Sequence, residues 1–289
     1  MDLREFAEAI GDSGPVTVTG AGTRGGPVRE ATVVRAPAGI EWLQPEEMTV
    51  CCGAATPVDE LAAALAEHGQ RVALPSGGTV GGALAMGRSG TWRLGWGPTR
   101  DALLQARYVS ASGDEVKAGG PTVKNVSGFD LCRLLVGSRG TLGFIGEVIL
   151  RTWPMARHSQ WFSTATIEPD ELLARLHRPT SLLWDGTTAW GLLEGHPDDV
   201  AAAAAAAGLV PADGPPELPT AGRWSIRPAQ VRSLTGRFVA EVGVGVVHHS
   251  EPAPARDVAP AVRELTRRIK HNFDPAGRLN PGVDVLDAG

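Results

Sequence analysis

Cysteine is scarce in this sequence, limited to Cys51, Cys52 and Cys132. Two of these are adjacent and the third stands alone, so there is neither a CxxC pair nor a spaced framework. Iron–sulfur ligation, a structural zinc site and a disulfide-stapled fold are unsupported, and a reducing cytoplasm is the simplest compartment. Positive charge is not in excess either: 27 Lys and Arg stand against 32 Asp and Glu, a formal net charge of −5. That balance offers no net attraction to nucleic acid or to an anionic membrane surface. Long apolar runs are missing as well, none approaching the roughly 18 residues of a transmembrane span. The opening MDLREFAEAIGDSG is acidic and helical rather than built like a secretion signal. No direct membrane insertion is expected, and any membrane association would come through partners.

What is present is apolar residue in quantity, 43% of 289, enough for a sizeable core. Two domains are expected, 1–155 and 156–289, because the glycine-rich loops cease after Pro154. Leu3, Phe6 and Ile10 stand at helical spacing before VTVTGAGTRGG, a strand that runs into a glycine turn. Gly20, Gly22 and Gly25 fit GxGxxG by the letter, but a Rossmann fingerprint leads into a helix, whereas ATVVRAP here reads as another strand. The loop still offers backbone amides, with Thr23 and Arg24, to a diphosphate; the alternative is an ordinary hairpin. MTVCCGAA reads as a strand, which makes Cys51 and Cys52 strand residues rather than redox groups. VDELAAALAEHG reads as a helix with Val58, Leu61 and Leu65 inward and Gly69 as its stop.

A second glycine loop, VALPSGGTVGGALAMG, holds Gly77, Gly78, Gly81 and Gly82 together with Ser76 and Thr79. Glycines here allow a pyrophosphate or a ring to lie against main chain, or else form a plain loop. Trp92 and Trp96 border an aromatic ligand or pack in the core. The Arg100–Asp101 pair fixes a turn or presents charge to a cofactor. Ser112-Gly113-Asp114 reads as a hairpin. In the stretch 119–154, Lys124, Asn125, Ser127, Gly128 and Asp130 precede Gly140, Thr141 and Gly143, and then an apolar strand containing Ile145. Asn125 can donate and accept, Asp130 can orient neighbouring amides, and Lys124 either neutralises phosphate or forms a surface ion pair.

The second half reads as mixed α and β: WFSTATI, SLLWDG and TAWGLLEG as strands, PDELLARLH and the alanine run at 201–207 as helices. RFVAEVGVGVVHHS has the strongest late strand pattern. His248-His249 lacks a spaced carboxylate or a third ligand, so it reads as a strand-end pair and not as a metal site. A final helix, ARDVAPAVRELTRRIKHNF, places Val262, Leu265 and Ile269 on a stripe expected to be buried. In the turn-rich tail FDPAGRLNPG, Asn280 reaches a cofactor or caps a turn.

In order and spacing, VTVTGAGTRG, GGTVGGALAMG, RDALLQ, VKNVSGFDLCRLLVGSRGTLGFIGEVILRTWP and FDPAGRLNPG together resemble the FAD-binding domains of the PCMH, or vanillyl-alcohol-oxidase, superfamily. Within it, the resemblance is to the FAD-binding subunits of bacterial glycolate oxidases. It implies an α+β fold: a two-part PCMH-type FAD-binding domain and a short C-terminal α/β, ferredoxin-like cap, with the tail returning towards the FAD domain. It implies phosphate contacts from Gly20, Gly22 and Thr23, and diphosphate and ribityl contacts from Gly77, Gly78, Thr79, Gly81 and Gly82. Lys124, Asn125, Gly128 and Asp130 would line the FAD, with Gly140, Thr141, Gly143 and Ile145 at its adenine or ribityl side and Arg100, Asp101 and Asn280 as further neighbours. No histidine occupies the first glycine loop, so the FAD is expected to be noncovalent. The implied activity is electron relay in a 2-hydroxy acid dehydrogenase complex with a second FAD-containing subunit and an iron–sulfur subunit. The alternatives are a stand-alone 2-hydroxy acid oxidoreductase and a noncatalytic flavin-binding subunit. No catalytic residues are assigned.

Overall fold

The computed structural model describes residues 1–23, 28–121 and 130–286. They divide into two compact units, one of Met1–Gly90, Pro98–Met155 and Asp257–Leu286, the other of Thr91–Gly97 and Ala156–Arg256. Elements are numbered along the chain.

The first unit opens with α1 (Leu3–Ile10), where Asp2 and Glu5 form a reciprocal capping box and Leu3, Phe6 and Ile10 are buried as their spacing predicts. Strands β1 (Val16–Val18) and β2 (Thr32–Val34) pair in parallel, which excludes the hairpin reading of the first glycine loop. A tight turn can join only antiparallel strands. The main sheet is antiparallel, in the order β3 (Ile40–Gln44), β4 (Thr49–Gly53), β8 (Phe144–Arg151), β6 (Leu103–Val109) and β7 (Glu115–Gly119). All of β4 is buried, and burial pushes the Cys51 and Cys52 thiols up to about 12, so both stay protonated and inert. Helix α2 (Val58–Ala66) turns Val58, Leu61 and Leu65 into the core, as read from the sequence, and α3 (Val80–Met86) buries Val80, Ala83 and Leu84. The two-residue strands β5 (Gln70–Arg71) and β9 (Trp153–Pro154) pair beside them. The short α5 (Leu131–Leu135) and the terminal α8 (Pro260–Phe273) complete the unit.

Helix α8 corrects one expectation. Val262 and Leu265 are 49% and 55% exposed, and no residue of the helix is buried. The stripe is present but uncovered, and α8 is tied down by polar groups instead, Arg263 lying 3.6 Å from Asp284. Lys270 Nζ donates to Thr141 O and Leu279 O and pairs with Asp274.

The second unit is a seven-stranded antiparallel sheet in the order β13 (Val210–Pro211), β10 (His158–Thr164), β12 (Ala189–Gly195), β11 (Ser181–Trp184), β15 (Phe238–Glu241), β16 (Val246–His249) and β14 (Gly222–Ser225). Phe162, Leu182 and Leu193 lie on one face, covered by Leu172 of α6 (Pro169–Arg175) and Val200 and Ala204 of α7 (Pro197–Ala206). The alanine-rich helix packs through its few inward residues. RFVAEVGVGVVHHS is not one strand but the hairpin β15–β16, because Gly243 and Gly245 take φ of 78° and 77° between its halves. Helix α4 (Arg93–Trp96) is tied to this sheet by Gly95 N donating to Thr180 O and by Trp96 Nε1 donating to Glu194.

Candidate cofactor site

In the first unit the first glycine loop follows β1 directly. A β-carbon on Gly20 would stand 2.6 Å from Thr79 Oγ1, so the first and second loops are in contact and only glycine fits between them. Thr79 is the N-cap of α3 and accepts from Gly82 N at 3.2 Å. Gly22, Gly77 and Gly78 take φ of 70°, 72° and 67°, and a β-carbon on Gly22 or Gly77 would meet no protein atom within 4 Å. Main chain is therefore presented bare at these positions. Gly77 N itself is held by Asp59 Oδ1 at 3.0 Å.

The C-terminal tail returns to the same place. Val16 N donates to Arg278 O and Asn280 N to Val16 O, which lays Leu279 parallel beside β1. Arg278 fixes this return: its guanidinium donates to the carbonyls of Ile10, Gly11, Ser13, Gly14 and Ala111 at 2.7–2.9 Å. Asn280, at φ 45°, donates from Nδ2 to Arg139 O, and a β-carbon on Gly140 would meet that Nδ2 at 2.7 Å. The 137–140 turn in turn caps the end of α3, with Gly137 N donating to Leu84 O and Arg139 N to Ala85 O. Gly20, Thr79, Gly82, Gly140 and Asn280 are thereby linked through β1, α3 and the tail. Asn280 Oδ1 is buried and, among the described residues, has no hydrogen-bond partner. A buried acceptor left unsatisfied costs about 1–3 kcal/mol, and a ligand donor would relieve it. That atom and the bare main chain at Gly22 and Gly77 fit an extended ligand lying on backbone.

Other expected site residues make contacts within the protein or lie at its surface. Gly81 N donates to Ala54 O at 2.7 Å and its missing β-carbon makes room for Ala54, so this glycine serves packing of α3 against the turn after β4. Gly143 makes room for the Tyr108 ring, and Ile145 is 7% exposed in the core. Thr141 donates from Oγ1 to Ser138 O and from N to the same carbonyl, while its own carbonyl accepts from Lys270. Asp130 caps α5 by accepting from Arg133 N, the amide-orienting role read for it, and pairs with the Arg133 guanidinium at 3.0 Å. Arg100 and Asp101 form a loose surface pair at 3.7 Å, with Arg133 3.8 Å from Asp101. Thr23 is exposed. Lys124, Asn125, Gly128, Arg24 and Gly25 lie outside the described residues.

Residues 2–119 match the family model described as FAD binding domain. Among curated proteins the chain is 35% identical over 166 residues to the glycolate oxidase subunit GlcE of Escherichia coli (strain K12), a match covering 54% of this chain and 47% of that protein. It is 34% identical over 151 residues to a D-lactate dehydrogenase of Archaeoglobus fulgidus, covering 50% of this chain and 34% of that one. These matches thus span less than half the length of either relative. A solved structure of alkyldihydroxyacetonephosphate synthase superposes on 97% of this chain and 74% of its own, with a TM-score of 0.70 at 16% identity, which shows the fold. The FAD binding domain match covers the first two glycine loops and strands up to β7; the 137–140 turn and the tail with Asn280 lie beyond it.

The second unit holds a pair that sequence reading missed. His248 Nε2 lies 3.0 Å from Glu241 Oε1, and Glu241 is 2% exposed. The carboxylate that seemed lacking beside His248 comes from the other arm of the β15–β16 hairpin. The signal was the Gly243-Val244-Gly245 turn, hidden inside a run read as one strand.

Proposed function

We propose that this chain is the FAD-binding subunit of a glycolate oxidase-like, 2-hydroxy acid dehydrogenase complex, and that it relays electrons through a noncovalent FAD. The observation that carries the reading is the convergence of the first two glycine loops with the tail, around the unsatisfied Asn280 Oδ1, in a chain similar to a glycolate oxidase subunit. Gly20, Gly22, Thr23, Gly77, Gly78, Thr79, Gly82, Gly140 and Asn280 hold the cofactor, mostly through main chain. Lys124, Asn125 and Gly128 are proposed to join them, as the motif resemblance implies. When bound, FAD supplies the redox chemistry, while the chain supplies binding and orientation. The partners are a second FAD-containing subunit and an iron–sulfur subunit. No helix among the described residues is long and apolar enough to cross a membrane, and membrane association is proposed to depend on those partners.

The test is anaerobic reduction of the purified, FAD-loaded chain by glycolate or D-lactate, alone and after co-purification with its partners. The expected result is flavin bound by the isolated chain but bleached by substrate only within the complex. Rapid bleaching in the isolated chain would instead establish a stand-alone oxidoreductase, and failure to bind flavin would overturn both.

A further inference from the structure

Two carbonyls of the first unit flank the place where the tail meets the 137–140 turn, and one ammonium holds both. Thr141 O, next in the chain after Gly140, accepts from Lys270 Nζ at 2.8 Å, and Leu279 O, just before Asn280, accepts from the same nitrogen at 3.0 Å. Between these anchors Asn280 Nδ2 donates to Arg139 O at 2.6 Å. The contacts close a ring: Lys270 joins Leu279 to Thr141, and Asn280 joins back to Arg139. The third acceptor on the ammonium is Asp274, whose side chain is fully buried and also receives Arg278 N and Leu279 N.

An ammonium carries three N–H donors, so three acceptors around Nζ fix its position, and Nζ in turn fixes the spacing of the two carbonyls. The Asn280 side chain follows. Its backbone N donates to Val16 O and its Nδ2 to Arg139 O, while its φ of 45° is a conformation that persists only where the surroundings hold it. What is left over is Oδ1, buried and without a partner among the described residues. All three N–H groups of Lys270 are engaged by protein acceptors, so it has none to offer a cofactor.

We propose that Lys270 is a positioning residue for the cofactor: by stapling Thr141 O to Leu279 O it aims the free Asn280 Oδ1 at a hydrogen-bond donor of the bound FAD. Its effect passes through Asn280 and vanishes when that side chain is gone. Arginine cannot replace it, because three acceptors converge on one nitrogen and a planar guanidinium spreads its donors over a fork. The proposal rests on the cofactor reading above and adds to it a residue that sets flavin affinity from outside the glycine loops.

The test is a fluorescence titration of the flavin-free full chain with FAD, on wild type, Lys270→Met, Lys270→Arg, Asn280→Gly, the double variant Lys270→Arg/Asn280→Gly, and Arg263→Met as a control on the same helix. Glycine at 280 removes the side chain while tolerating the positive φ. FAD should bind about tenfold more weakly to Asn280→Gly and about fivefold more weakly to either Lys270 variant, the scale of one hydrogen bond lost or misplaced. The double variant should match Asn280→Gly alone, since residues acting through one contact are not additive. Arg263→Met should bind as wild type does. In the flavin-free chain, the amides of Thr141 and Asn280 should exchange faster in both Lys270 variants and at the wild-type rate in Arg263→Met.

Lys270→Arg keeps a cation beside the buried Asp274, so it decides the matter if Lys270→Met does not fold. Wild-type FAD affinity in a folded Lys270→Arg, losses that multiply in the double variant, or unchanged exchange at Thr141 and Asn280 would each overturn the positioning role while leaving the cofactor reading intact. Collapse of both Lys270 variants would make the residue structural only and would overturn it too. A wild type that binds no FAD would overturn the cofactor reading and the positioning role together.

Discussion

At the scale of single residues, the first unit depends on polar groups buried in the C-terminal tail. Arg278, 5% exposed, satisfies five carbonyls from two distant stretches of chain, a role lysine cannot fill because it lacks the planar fork. Asp274 organises the turn before it, accepting from Arg278 N at 3.0 Å and Leu279 N at 2.8 Å and pairing with Lys270. Burial alone would raise its pKa. The bonds from Lys270, Leu279 and Arg278 outweigh burial and hold it below the ordinary 3.8. A carboxylate with a depressed folded-state pKa contributes stability that is present above the unfolded value and lost as pH falls through the folded one. Wild type should therefore exceed Asp274→Asn in stability at about pH 6, with the gap narrowing below about pH 4. Urea unfolding of both proteins at the two pH values reads this directly; a gap that does not change with pH would remove the charge from the account.

At the scale of elements, the sequence period announced α1, α2 and β4 because each carries a strong apolar face that the core then covers. It failed where partner and path matter more than period. The stripe on α8 was legible, but nothing local states what covers it. β15 and β16 merged into one apparent strand because glycines inside a valine-rich run look like small strand residues until their φ is known. The glycines of the second loop had the same ambiguity, since Gly77 leaves bare main chain while Gly81 makes room for Ala54. That difference predicts distinct phenotypes. A β-carbon at Gly81 would lie 2.8 Å from the Ala54 β-carbon, so Gly81→Ala should push α3 off the turn after β4 and cost about 1–3 kcal/mol. The gain in helix propensity, at most about 1 kcal/mol, offsets part of this. Denaturant unfolding should show the loss, while the folded variant should still load FAD with wild-type stoichiometry at saturation. Undiminished stability with lost flavin would make Gly81 a cofactor contact after all.

At the scale of the whole molecule, the proposed cofactor residues belong to the first unit, and each unit has its own core. The glycine loops and the FDPAGRLNPG tail were legible from sequence because main-chain binding demands particular residues at fixed spacing. The His248–Glu241 pair was not, because its two residues come from opposite arms of a hairpin that reads as one strand. A ligand that binds only the folded state stabilises it, by about 2.7 kcal/mol at a hundredfold excess over Kd, and slows amide exchange where it binds. FAD should therefore slow exchange most in 19–23, 76–82, 137–140 and at Asn280, and little in the strands between 158 and 249. Hydrogen exchange read by mass spectrometry, with and without FAD, separates the two. Protection concentrated in the second unit would mean that the glycine loops and the tail have been given the wrong ligand, because bare main chain at Gly22 must gain protection if a cofactor lies on it.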